Sequence, residues 1–86
     1  MCRNIKTLFN YDPPATDTEI SASALQFVRK LSGTTRPSVA NTAAFDNAVA
    51  QIEIISRELI DSLVTSAPPK NREVEAARAR VRAANR

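Results

Sequence analysis

An all-α protein is predicted by three observations: a continuous 3.6-residue apolar periodicity, strong local start and stop signals for helices, and a near absence of glycine. There is one Gly in 86 residues, and neither apolar/polar alternation nor a hairpin dipeptide competes with the helical pattern. The expected architecture is a small helical bundle built on an antiparallel helix pair, with a short N-terminal helix and a basic C-terminal helix. A chain this short buries a modest core, so it is marginal alone unless it packs well or self-associates.

Ile5, Leu8 and Phe9 stand at i, i+3 and i+4, which predicts one or two helical turns over residues 3–9. Pro13-Pro14 cannot continue that helix. The arm is expected to lie across the helix pair and close one end of its core. Thr16-Asp17-Thr18-Glu19 has the form of a capping box: a hydroxyl for the third amide and a carboxylate reaching back. The helix it opens puts Ile20, Ala24, Phe27, Val28 and Leu31 on one face, with Leu25 at the edge. It should end at Gly33, the residue that most readily takes the left-handed closing conformation.

A turn over residues 33–37 leads to the longest helix, expected from Ser38 to Thr65 with Ser38 as its cap and Asn41 as the second choice. Phe45, Ala48, Val49, Ile52, Ile55, Leu59, Ile60 and Leu63 form its apolar stripe. The other helices are expected to pack against it. Asp46, Glu53, Arg57, Glu58 and Asp61 occupy the polar side. Ile54 breaks the pattern, falling opposite Phe45 and Leu63. It is either a lone exposed residue or a contact to the C-terminal segment or a second subunit.

Pro68-Pro69 divides a helical core (1–67) from a hinge and basic helix (68–86), within one domain overall. Ala and Arg favour helix over residues 73–85, but Val74, Ala77, Val81 and Ala84 make only a thin stripe, so the helix needs a dock. Arg78, Arg82 and Arg86 are spaced by four and form a cationic ridge; Arg80 points elsewhere. From Lys70 onward six basic residues face two acidic ones, a net +4 that leaves −1 for residues 1–69 out of a total of +3. Such asymmetry suits an anionic partner.

The composition narrows the chemistry. The chain has no His, which removes the usual general base and metal ligand, and a single Gly leaves no phosphate-binding glycine loop. One Cys allows neither an internal disulfide nor a multi-cysteine metal centre. Cys2 is the one candidate nucleophile: after methionine removal its own α-amine could serve as base, with Arg3 and Lys6 favouring the thiolate. The bland alternative is a small apolar side chain. Glu58 and Asp61 read as solvated carboxylates with no pocket to separate their pKa values. No catalytic set, cofactor or metal is therefore expected. Neither the first residues nor any later stretch resembles a signal peptide or a membrane span, which makes a cytoplasmic location the expectation.

Arg29, Lys30 and Arg36 crowd the turn before the long helix. They could hold a phosphate or carboxylate at its N-terminus, or merely complement the C-terminal end of their own helix. A helix-turn-helix docking on DNA is rejected, because four acids against Arg57 give the second helix a net −3 that repels phosphate. The arginine-rich tail could still bind RNA electrostatically, although it has no aromatic residue for base stacking.

Met1-Cys2-Arg3-Asn4-Ile5, Pro13-Pro14-Ala15-Thr16, Ala24-Leu25-Gln26, Val28-Arg29-Lys30, Ser32-Gly33, Pro37-Ser38, Ala40-Asn41, Ala67-Pro68-Pro69-Lys70 and Glu73-Val74-Glu75-Ala76-Ala77 together resemble a family of small bacterial proteins catalogued as domain of unknown function 2277. That resemblance covers the whole chain. It implies a small cytoplasmic bacterial protein and brings no established activity or catalytic residues.

The first expectation is thus a non-enzymatic interaction protein or accessory subunit, self-association included, that contacts an acidic protein partner. The contact would use Arg78, Arg82 and Arg86 of the tail and the Arg29/Lys30/Arg36 corner. RNA binding by the same tail is the alternative, and a thiol function at Cys2 a minor one.

Overall fold

The structure is a computed structural model and describes residues 4–85; Cys2 and Arg86 lie outside them. It is mostly helical. Helix α1 spans Asp17–Ser32 and α2 spans Thr42–Ser62, joined through a 3-10 turn at Val39–Asn41; α3 spans Arg72–Ala84.

Local chemistry sets the ends of α1. Thr16 is extended, its hydroxyl accepts from the Glu19 amide at 3.2 Å, and Glu19 accepts from the Thr16 amide at 2.9 Å. This is the reciprocal cap expected from the sequence. Gly33 closes the helix at φ 73°, ψ 14°, with its N–H donating to the Arg29 carbonyl at 2.9 Å.

The start of α2 differs from expectation. Ser38 opens the 3-10 turn, and Asn41, the second choice, precedes α2. Ser38 is engaged within that turn: its hydroxyl accepts from Asn41 Nδ2 at 3.1 Å and its carbonyl from Thr42 Oγ1 at 2.9 Å. At the other end, Leu63 turns extended (ψ 141°), so α2 stops at Ser62 rather than Thr65.

The core lies between α1 and α2. Ile20, Ala24 and Val28 of α1 and Phe45 of α2 are buried, with Ala15 covering one end. The long stripe of α2 is only partly used, which corrects the expectation that the other helices pack along it. Ala48, Val49, Ile52 and Ile60 are half-buried, whereas Ile55, Leu59 and Leu63 are exposed. The sixteen residues of α1 are shorter than the twenty-one of α2 and cover one edge of the stripe. The elements that pack substantially on α2 are α1 and the 3-10 turn, and Ile55, Leu59 and Leu63 on the second edge stay exposed.

The expected N-terminal helix is absent among the described residues: residues 4–10 are bends and irregular backbone. Hydrogen bonds to α1 hold this arm instead. The Asn4 amide donates to Gln26 Oε1 at 2.8 Å, and the Ser23 hydroxyl donates to the Asn4 carbonyl. Three apolar residues are too few to stabilise a turn in competition with such contacts.

The arm leads into a feature without a periodic signature in the sequence. Strand β1 (Tyr11–Asp12) pairs in parallel with β2 (Lys70–Asn71), Tyr11 opposite Lys70. The Lys70 amide donates to the Asn10 carbonyl at 2.8 Å. Asn10 has φ 65°, a conformation that Asn tolerates better than most residues. Its side-chain amide reaches the carbonyls of Ala67 and Pro68 at 3.4 and 3.2 Å. One proline doublet leads into β2 and the other follows β1, so they flank the parallel ladder at opposite ends, and α3 leaves from the end of β2 with no buried residue of its own. The resulting shape is flat, 45 × 35 × 16 Å, with a radius of gyration of 15.3 Å, against about 12 Å for a compact chain of this length.

Candidate functional site

The ladder brings the N-terminal arm and α3 together around an open basin of about 480 Å³, lined by Lys6, Tyr11, Lys70, Arg72 and Arg82 together with the carboxylates Glu19 and Glu75. Tyr11 contributes an aromatic ring to its lining. Lys70 Nζ lies 5.5 Å and the Arg72 guanidinium 5.7 Å from the ring centroid, within cation–π range.

Arg72 also fixes the wall of the basin. It donates through Nε to the Pro13 carbonyl at 2.8 Å and through a terminal nitrogen to Glu19 Oε1. Lys6 stands 4.0 Å from the other carboxylate oxygen. The Arg72 guanidinium, helped by the Thr16 amide, holds the Glu19 carboxyl down at about 2 against the desolvation that opposes ionisation. Glu19 is therefore a carboxylate at neutral pH and has no proton to donate as a general acid. The positive charge of Arg72 is consumed within the chain, which leaves Lys70 and Arg82 as the basin's more available cations.

Along α3, Arg78 pairs with Glu75 at 3.0 Å, one turn away on the same helix. Arg80 and Arg82 make no ion pair among the described residues, and both are exposed. Of the cationic ridge read from the sequence, Arg82 borders the basin, Arg78 has a local partner, and Arg86 lies outside the described residues.

The corner cations are elsewhere. Arg29 donates through Nε to the Thr35 carbonyl at 3.2 Å and so braces the turn. Lys30 is exposed, and Arg36 borders a groove at the Gly33 end of the helix pair. Glu19 and Arg72 stand at the opposite end of α1. Sixteen helical residues separate the ends by about 24 Å, so no single small anion spans the corner and the α3 arginines. Ile54 is 58% exposed.

Two residues of the candidate site carry no signal in the sequence. Tyr11 and Arg72 act through contacts about sixty positions apart, and a two-residue ladder leaves no pattern to read. Arg57, on the polar side of α2, donates to Asp17 at 2.6 Å and to the Ala15 carbonyl at 3.3 Å, tying α2 to the start of α1. Among the described residues no three His, Cys, Asp or Glu side chains cluster as a metal site, and no helix is long and apolar enough to cross a membrane.

Comparison with known proteins returns one result. A family model described as an uncharacterized conserved protein, DUF2277, matches residues 1–78. No curated protein and no solved structure matches.

Proposed function

The chain belongs to the DUF2277 family, and we propose that it is a small non-enzymatic interaction protein whose basic C-terminal helix contacts an acidic protein partner. The observation that carries this reading is the state of α3: no residue of it is buried, and Arg80 and Arg82 stand exposed with no ion pair among the described residues. A cationic helix anchored at its first residue, with exposed arginines beyond it, can lie along a carboxylate-rich surface, where charge complementarity mainly sets encounter and specificity. In the same reading, α1 and α2 form an antiparallel pair, since Arg57 near the end of α2 meets Asp17 at the start of α1. The segment from Pro68 onward is a unit hung from that body. A cytoplasmic, bacterial setting belongs to the proposal as well.

RNA is the second reading, and Tyr11 favours it. The tail itself has no aromatic residue, but the ladder places an aromatic ring beside Lys70 and Arg72, the pairing of stacking platform and cation that single-stranded nucleic acid uses.

Affinity capture with the full chain and with an Arg78→Glu/Arg80→Glu/Arg82→Glu variant tests both. An acidic protein retained by the first and lost by the second supports the proposal. Retention abolished by ribonuclease favours RNA, and equal capture by both chains overturns either role for α3.

A further inference from the structure

We propose that the chain pairs with a second copy of itself through the uncovered apolar side of the α1–α2 pair, independently of what α3 binds. Leu31, Phe45, Ala48 and Ile52 line one groove of about 820 Å³. Phe27 continues it one turn back along α1, and Ile55 and Leu59 continue it along α2 at helical spacing. Phe27, Leu31, Ile55 and Leu59 are 44, 72, 62 and 57% exposed. Large side chains left open in one line are unlike the scattered apolar residues of ordinary surfaces.

The area argues for a second copy. The chain exposes 6669 Å², whereas a compact monomer of its 9.4 kDa mass exposes about 5,000 Å². A standard dimer buries about 800 Å² on each partner, so pairing removes roughly half of the excess. The core points the same way: of the five apolar residues buried among the described ones two are alanines, thin for a domain that stands alone.

Charge selects the occupant. In a two-fold interface each patch meets itself, so a charge near the axis meets its like. Ala48, Ile52, Ile55 and Leu59 form an uncharged strip, and the acidic residues of α2 lie off it. Among the described residues the one charged side chain lining the groove, Arg36, stands at its Gly33 end, away from an axis near Ile55. A basic helix, α3 of a neighbouring copy included, gains nothing electrostatically on an uncharged strip.

Sedimentation equilibrium on the full chain tests the pairing. Wild type is expected to be a dimer at about 100 μM, and Ile55→Glu and Ile55→Arg are each expected to weaken pairing by at least about 10-fold. Mixing the two variants should restore a dimer, which a merely misfolded variant could not do. Ile54→Glu, about 100° around α2 from Ile55 and off the strip, should leave pairing unchanged. A monomeric wild type, pairing that survives both Ile55 variants, failure of the mixture to recover, or loss of pairing by Ile54→Glu or Val81→Asp would each overturn the proposal.

Discussion

Arg72, the first residue of α3, donates to the same Glu19 carboxylate that caps α1. One side chain thereby closes the N-terminus of one helix and anchors the start of another. With the Pro13 carbonyl on Nε, Arg72 is the main polar tie between α3 and the body. Arg72→Ala should lower stability by about 1 kcal/mol, the scale of a partly exposed ion pair with an added hydrogen bond. It should also speed hydrogen exchange at the Lys70 amide, because the ladder loses its neighbouring clamp. Chemical denaturation and exchange on wild type and variant measure both effects.

Glu19 makes that tie sensitive to acid. Its pKa is lowered from 4.5 to about 2, so the unfolded chain binds the proton more readily than the folded one. The stabilisation is therefore complete above about pH 4.5 and is lost as pH falls through about 2. The partly exposed carboxylate reduces the effect to about 1–2 kcal/mol. Glu19→Gln should remove this component, giving lower stability at neutral pH and a flatter profile between those values. Helical circular dichroism in denaturant at a series of pH values reads the difference.

Asn10 carries two separable demands, a positive φ and a side-chain amide on the Ala67 and Pro68 carbonyls. Asn10→Gly meets the first and loses the second; Asn10→Ala loses both. The alanine variant should be the less stable by about 1 kcal/mol, the cost of a left-handed conformation for a residue with a Cβ. Thermal unfolding of the pair gives the comparison.

At Gly33 the demand is conformational alone. A Cβ built there meets nothing within 4 Å, yet φ is 73°. Gly33→Ala should cost about 1 kcal/mol through backbone strain, and Gly33→Asn less, since Asn adopts this conformation more readily. Equal losses for the two variants in urea unfolding would contradict this account.

Arg57 joins Asp17, the Ala15 carbonyl and Asp61, and these neighbours raise its pKa further above its ordinary value. Neutral pH leaves its charge untouched. Arg57→Lys should keep the ion pair with Asp17 but lose the fork that also reaches Ala15 and Asp61. Its melting temperature should fall between those of wild type and Arg57→Ala, and the gap to wild type should narrow as salt is added.

Helix α1 was legible to the residue at both ends because its signals are local: Thr16 with Glu19, and Gly33, act within one turn. The bodies of α2 and α3 followed from periodicity and propensity. Asn71, whose side chain accepts from the Val74 amide at 3.0 Å, sharpened the start of α3 in a way the alanine-arginine pattern did not. Of the candidate site, Arg82 could be named from charge spacing, whereas the roles of Tyr11, Lys70 and Arg72 around the basin could not.

By itself, then, the sequence determined the helical content, the punctuation by proline doublets and the concentration of positive charge after the second of them. These depend on neighbours within about four positions, where side-chain type and backbone preference act directly. Tertiary structure alone decided that residues 11–12 pair with 70–71, that Glu19 serves two helices, and that one edge of the α2 stripe stays open. Each depends on groups brought together across the chain or on an uncovered length of helix. No local periodicity encodes which of several compatible surfaces finally meet.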